Sequence, residues 1–216
     1  MQPVISLGPW TLPSYPAGLT VVIALSALVG WRLWGGPARA WTLICVAVLA
    51  GGVLGGRATH VIAHWGYFQA ALGEALRLDG GGLDWWGAAL GGIGGAVLAA
   101  RIQRRPVAPI LDALTPALPL LMLAGSLGCY AATCAYGAEI ATLAGVSPLI
   151  AAELPDVYGF FAPRYQTQLW MAAWAVLLLG LVGVCFWKGW LARRRFWLAL
   201  ALLTAGMALA GLYRAA

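Results

Sequence analysis

Only 9% of the 216 residues are charged, against 62% hydrophobic and a mean hydropathy of +0.84. A soluble domain carries roughly 25% charge, so the composition excludes a water-exposed globule and points to a bilayer. The net charge of +6 does not indicate nucleic acid, because the basic residues sit in short loops between apolar runs and not on one face of a folded domain. Four cysteines fit neither a disulfide scaffold nor a paired CxxC zinc site.

Six apolar runs follow in order: Ala17–Trp34, Ala40–Gly56, Trp85–Ala100, Leu111–Ala132, Gln168–Trp187 and Phe196–Tyr213. Each is close to the roughly 20 residues that cross hydrocarbon as a helix. They predict an all-α, polytopic membrane bundle of about six transmembrane helices, with residues 1–216 as a single integral membrane domain. No basic residue precedes the first run and no small-residue cleavage site stands out, so no signal peptide is expected. Pro116 and Pro119 predict a kink in the fourth run.

Lysine and arginine counts in the short loops give an orientation. Arg32 and Arg39 flank the first loop, Arg101, Arg104 and Arg105 the third, and Lys188, Arg193, Arg194 and Arg195 the fifth. The alternate loops hold only Arg57, Arg77 and Arg164, and they carry the acids Glu74, Asp79, Asp84, Glu139, Glu153 and Asp156. The N-terminus is therefore expected outside and the basic loops in the cytoplasm. Those outer loops are long, hence functional or disordered, and their Trp65, Tyr67, Phe68, Tyr158, Phe160 and Phe161 favour the membrane interface.

Gly87, Gly91 and Gly95 recur every four residues in the third run. Gly51 with Gly55, and Gly52 with Gly56, make small-xxx-small pairs in the second. Such spacing lets helix backbones approach closely where lipid supplies no hydrophobic drive.

Four polar clusters fall at the outer ends of these runs. Gly56-Arg57-Ala58-Thr59-His60 closes the second, and Asp84 opens the third. The stretch Gly125 to Gly137, with Cys129 and Cys134, ends the fourth, and Arg164 to Gln168 leads into the fifth. Ionisable residues at membrane edges are functional candidates. Arg57 and Arg164 have the planar fork that matches phosphate oxygens, or they anchor helix ends among headgroups. His60 and His64, four apart, share a face on a continued helix. They could bind zinc, though no carboxylate between them makes a metalloprotease motif, or His60 could act as a general base.

Cys129 and Cys134 would point some 140° apart on an unbroken helix and could not bond. A break at the flanking glycines would allow a bridge. The other readings are a nucleophile or acyl carrier, or inert thiols. Cys45 and Cys185 lie inside apolar runs as packing residues, and Asp112 is expected to cap the fourth helix at its cytoplasmic end.

Taken together, Gly56-Arg57 with His60, Gly81 to Gly87, Leu111-Asp112 through Pro119, Gly125-Ser-Leu-Gly128 to Gly137, and Arg164 to Gln168-Leu169 stand in the order of five elements of the prolipoprotein diacylglyceryl transferase family. The chain resembles that family over roughly residues 50–190. Five positions depart from its pattern: Ser126 where an arginine is usual, Cys129 and Ala132 for asparagines, Cys134 for a glutamate, and Trp86 for a loop histidine. A version of the signature with cysteines, Gly128-Cys129-Tyr130 to Cys134-Ala135-Tyr136-Gly137, is similar to that of a branch of the family.

The resemblance implies a phospholipid-dependent enzyme that moves a diacylglyceryl group to a cysteine thiol. It would be multi-pass in the bacterial plasma (inner) membrane, with its site toward the outer face. Phosphatidylglycerol is the implied donor, a lipoprotein precursor the implied acceptor, and the bilayer the surrounding partner. No nucleic acid, cofactor or metal is expected. The implied catalytic residues are His60, Cys129 and Cys134; Arg57, Arg164 and Gln168 would hold the headgroup, and Asp84, Trp86, Ser126 and Tyr136 would line the site. The alternative is a catalytically silent lipid-binding relative in which Cys129 and Cys134 form a redox or structural pair.

Overall fold

The structure is a computed structural model that describes residues 4–7, 10–78, 81–156 and 158–214, with side-chain surroundings from residue 16 onward. Asp79, counted above among the outer-loop acids, lies outside the described residues. A short antiparallel hairpin, β1 (Val4–Leu7) and β2 (Trp10–Pro13), precedes helix α1 (Ser14–Trp34). Then come α2 (Ala38–Ala63), α3 (Trp65–Phe68), a 3₁₀ turn at Leu72–Leu76, and α4 (Trp85–Ile102). The remaining elements are α5 (Val107–Leu114), α6 (Ala117–Ala131), the hairpin β3 (Ala151–Pro155) and β4 (Phe161–Tyr165), α7 (Thr167–Trp187) and α8 (Arg195–Gly211).

All six apolar runs are helical. Four stretches are long and apolar enough to cross a membrane, Pro16–Trp34, Ala38–Ala63, Val107–Ala131 and Thr167–Trp187. Helix α8, with 17 residues, and the glycine-rich α4, with 18, are not among them. The fourth run is divided where its prolines stand. Thr115 and Pro116 separate α5 from α6, and Pro119 sits in the first turn of α6, where a missing N–H costs no intrahelical bond. The expectation for Asp112 is corrected: it lies inside α5, five residues from its start and buried, and does not cap it.

The chain divides into two compact units, residues 31–113 and residues 1–30 with 114–216. The core of the first is the antiparallel pair α2 and α4, held backbone to backbone. A Cβ on Gly51 would strike the carbonyl of Gly91, and one on Gly55 the carbonyl of Gly87; a Cβ on Gly91 would strike Gly51, and one on Gly95 Ala47. Here the glycines have no substitute, because the partner atoms are main chain. Asp84 caps α4, its carboxylate accepting from Trp86 N at 2.9 Å, and its own N–H donates to Gly56 O at 3.0 Å. The cap thus fixes the register of α4 against α2.

In the second unit α6, α7 and α8 pack together. Met171, Ala175, Leu178, Val182 and Cys185 of α7 are buried at helical spacing, as are Phe196, Ala199, Leu203, Gly206 and Ala210 of α8. The Trp174 indole lies on Gly206 and donates to Leu202 O at 3.0 Å. Val176, Leu177 and Val184 remain exposed on α7, as befits a lipid-facing surface.

The glycine seam makes a direct prediction. Gly91→Leu should destabilise the protein by about 3 kcal/mol or more, since backbone cannot yield as a core side chain does. Gly94 meets nothing within 4 Å, so Gly94→Ala should be neutral or stabilise by up to about 1 kcal/mol. Thermal unfolding of the two variants in one detergent compares them; equal melting temperatures would contradict the close contact.

Candidate functional site

The residues singled out in the sequence fall into two constellations, one in each unit. The first is built at the end of α2. The sequence reading closed this helix at Gly56, but it continues to Ala63, so Arg57, Thr59 and His60 stand on the helix itself. The reason is local: nothing between Gly56 and Ala63 breaks a helix, and His64 N still donates to His60 O at 3.1 Å.

Arg57 organises the loop that follows. Its Nε donates to Ala75 O (2.9 Å), Nη1 to Gly81 O (2.9 Å) and Gly82 O (3.2 Å), and Nη2 to Glu74 O (2.6 Å). Four of the five guanidinium N–H groups are thereby used on backbone carbonyls, and the cation lies 5.2 Å from the Phe68 ring centroid. Gly82 has φ +77° and passes so close that a Cβ there would sit 2.5 Å from His60 Nε2 and 2.8 Å from Arg57 Nη1. Only glycine offers both that conformation and that clearance.

The result is a cleft of about 640 Å³ whose lining includes Arg57, His60, His64, Tyr67 and Glu74. The two imidazoles are neighbours, 4.4 Å between centroids, and Phe68 meets His60 edge-on at 5.9 Å. His64 Nδ1 is turned to His60 O at 3.0 Å. Across the cleft Tyr67 Oη donates to Glu74 Oε2 at 2.5 Å. That hydrogen bond, and then the Glu74 charge, push the Tyr67 phenol above its ordinary pKa. Asp84 serves as the α4 cap, and Trp86 is exposed beside Trp85. Tyr67 and Glu74 were missed as site residues: their pairing depends on the loop folding around Arg57, which no local spacing announces.

The second constellation centres on the end of α6. Cys134 N donates to Cys129 O (2.8 Å) and Thr133 N to Tyr130 O (3.4 Å), with Thr133 at φ +53°. This is a Schellman ending, in which the two positions that normally make an apolar contact are Cys129 and Cys134. They are joined by a disulfide with Cα atoms 4.6 Å apart. In this state neither sulfur is a free thiol, and the bond accords with the reading of Cys129 and Cys134 as a structural pair. The helix break that permits the bond comes from Thr133 and Ala135, both left-handed, and not from the glycines.

The turn so made is docked on the start of α7. Gln168 Nε2 donates to Cys134 O at 2.8 Å and Thr167 Oγ1 to Ala135 O at 2.6 Å, both side chains buried. Arg164 is also buried. Its Nη2 meets Glu139 Oε1 at 2.5 Å and Asp156 Oδ2 at 3.7 Å, and its cation stacks 4.8 Å from the Tyr136 ring centroid. Glu139 and Asp156 as its partners were also unforeseen, because they are brought to it by the β3–β4 hairpin and by bridging of residue 139 to 164. Among the described residues, Arg164 Nε and Gln168 Oε1 have no hydrogen-bond partner. Ser126 lies half-buried on α6.

Two measurements probe these arrangements. Tyr67 should ionise above the ordinary tyrosine value of about 10, and Glu74→Gln should return it there, followed by ultraviolet difference titration. With its folded pKa raised, the pair contributes stability below pH 10 that is lost as pH rises through the folded value. For the disulfide, Cys129→Ser and Cys134→Ser should cost about the same, roughly 2–4 kcal/mol, and the double variant little more, since one bond is lost in each case. Unequal costs measured by denaturation would show that the bond is not the shared element.

Comparison with known proteins places these features. The family model described as prolipoprotein diacylglyceryl transferase matches residues 2–215. Among curated relatives, the phosphatidylglycerol–prolipoprotein diacylglyceryl transferase of Mycobacterium leprae is 36% identical over 140 residues, 62% of this chain and 42% of that protein. The proteins of the same name from Mycobacteroides abscessus (35% identical, 60% of this chain, 40% of the relative) and Nocardia farcinica (38% identical, 64% and 29%) are similar in the same way. The matched stretch thus spans less than half the length of these relatives. With a family match over nearly its whole length, the chain belongs to the prolipoprotein diacylglyceryl transferase family.

Proposed function

We propose that the protein is a membrane-embedded, phospholipid-dependent transferase that moves a diacylglyceryl group to a cysteine thiol. Phosphatidylglycerol is the donor and a lipoprotein precursor the acceptor, as the relatives' names suggest. In this reading it lies in the bacterial inner membrane with the N-terminus and the cleft outside. The observation that carries it is the pairing of a rigidly held guanidinium with an imidazole in one cleft at the end of an apolar helix, Arg57 beside His60.

The chemistry assigns roles to those groups. His60 takes the proton from the acceptor thiol. The sulfur then attacks the glyceryl carbon that bears the phosphate ester; a C–S bond forms, the C–O bond breaks, and the glycerol phosphate leaves with the electron pair. The remaining N–H of Arg57 faces that phosphate and stabilises its growing charge. In the second constellation, Arg164 Nε is a donor and Gln168 Oε1 an acceptor without partners among the described residues, which suits a headgroup phosphate oxygen and hydroxyl. Their other atoms hold Glu139 and the Cys134 turn in place.

The disulfide favours a second reading, a lipid-binding relative without turnover, because it occupies both cysteines. Complementation of a strain depleted of its own diacylglyceryl transferase separates the two. Growth restored by the wild type, and lowered at least about tenfold in turnover by His60→Ala, supports the transferase. Failure to complement, with phosphatidylglycerol still retained by the purified protein, supports the second reading. Arg57→Lys should weaken lipid retention although it keeps the charge, because the fork is lost; unchanged retention in native mass spectrometry would leave Arg57 as a loop clamp only.

A further inference from the structure

The end of unit 31–113 opposite the cleft has a chemistry of its own. Because α2 and α4 are antiparallel, the start of α2 and the end of α4 lie together, and Gln103 Nε2 ties them by donating to Ala40 O at 3.2 Å. Five arginines gather there: Arg32 and Arg39 from the first turn region, and Arg101, Arg104 and Arg105 from the second. All five are exposed, and none pairs with a carboxylate among the described residues. No acidic residue occurs between Trp31 and Trp41 or between Leu98 and Ile110.

Local structure does not explain all of this charge. Arg101 and Arg104 complement the negative end of α4. Arg39, however, is the second residue of α2, where the helix field is positive, and the first turn carries no acid. A cation is disfavoured there unless an anion from outside the chain meets it. The backbone also holds the cluster in shape: Arg104 takes φ +52°, and Arg105 N donates to Ala100 O at 2.9 Å, the mark of a Schellman ending.

Aromatic rings support these cations at one level. Arg105 lies 5.0 Å over Trp34, whose ring is 5.6 Å from that of Trp41. Trp31 Nε1 donates to Gly36 O at 3.0 Å, and Arg32 lies 5.6 Å from its ring. Tryptophan settles at the headgroup level of a bilayer. Eighteen residues of α2 separate Arg39 from Arg57, about 27 Å of helix, near the roughly 30 Å of a hydrocarbon core.

We infer that this basic, tryptophan-backed end is a binding surface for anionic phospholipid headgroups of the leaflet opposite the cleft. The guanidiniums take the phosphate diesters and the indoles the glycerol region. The inference does not depend on the transfer reaction and concerns a different end of the helix pair.

The test uses the full-length protein in mixed micelles holding equal phosphatidylserine and phosphatidylcholine, with retained lipid counted by native mass spectrometry. Phosphatidylserine keeps the probe distinct from the proposed donor. The wild type should retain it in preference, each arginine contributing a factor of up to about five. The variant Arg39→Gln/Arg104→Gln/Arg105→Gln should lose the preference by more than tenfold. The matching triple lysine variant keeps the charge and the orientation in the membrane, so it should keep most of it. Raising salt to about 1 M should erase much of the preference in the wild type itself, a readout that needs no variant to fold. Equal retention of the two lipids by the wild type, or a preference untouched by salt and by the glutamine variant, would overturn the inference. Complete displacement by soluble glycerol phosphate at low millimolar concentration would also overturn it, by showing a free-phosphate site instead of a lipid surface.

Discussion

Four main-chain carbonyls converge on the guanidinium of Arg57, and the shape of the first constellation depends on that convergence. In the loop of some twenty residues that follows α2, α3 and the 3₁₀ turn satisfy only part of the backbone. One cation at the end of α2 takes four of its carbonyls as well. Because the donors are fixed in a plane, the carbonyls of residues 74, 75, 81 and 82 are fixed too. Tyr67 and Glu74 then face one another, and Gly82 is pressed against His60. The cleft is thus a by-product of satisfying the loop, and the residue that would meet a phosphate is also the one that holds the walls apart.

The second constellation solves a different problem, that of stopping a helix without glycine. Thr133 in the left-handed region costs about 1–2 kcal/mol. A covalent bond between the residues on either side of the turn holds it there. The carbonyls that the turn turns outward are then taken by Thr167 and Gln168 at the first two positions of α7. In this way the end of one helix and the beginning of the next are joined through polar atoms that would otherwise be unpaired.

Much of the fold could be read in the chain. The six apolar runs are helices, the prolines at 116 and 119 mark the division of α5 from α6, and the four-residue glycine spacing does set α2 against α4. These signals are local or periodic, so they survive without tertiary knowledge. The extent of α2 was underestimated because polarity at Arg57 and His60 looked like a helix end, whereas the helix carries them on. Asp112 was misplaced for a related reason: an acid beside a basic loop looks like a cap, but α5 begins five residues earlier. The pairings Tyr67–Glu74 and Arg164–Glu139 were illegible, since each joins residues through a loop whose path is set by a third group.

The seam between α2 and α4 carries one more consequence. In a side-chain core a substitution that is too large can be answered by a smaller neighbour, and families drift by such paired changes. At Gly51, Gly55 and Gly91 the neighbour is already the main chain of another glycine, so nothing remains to be made smaller. This contact has no second-site suppressors along its own length; it can be inherited or lost, but it cannot be renegotiated.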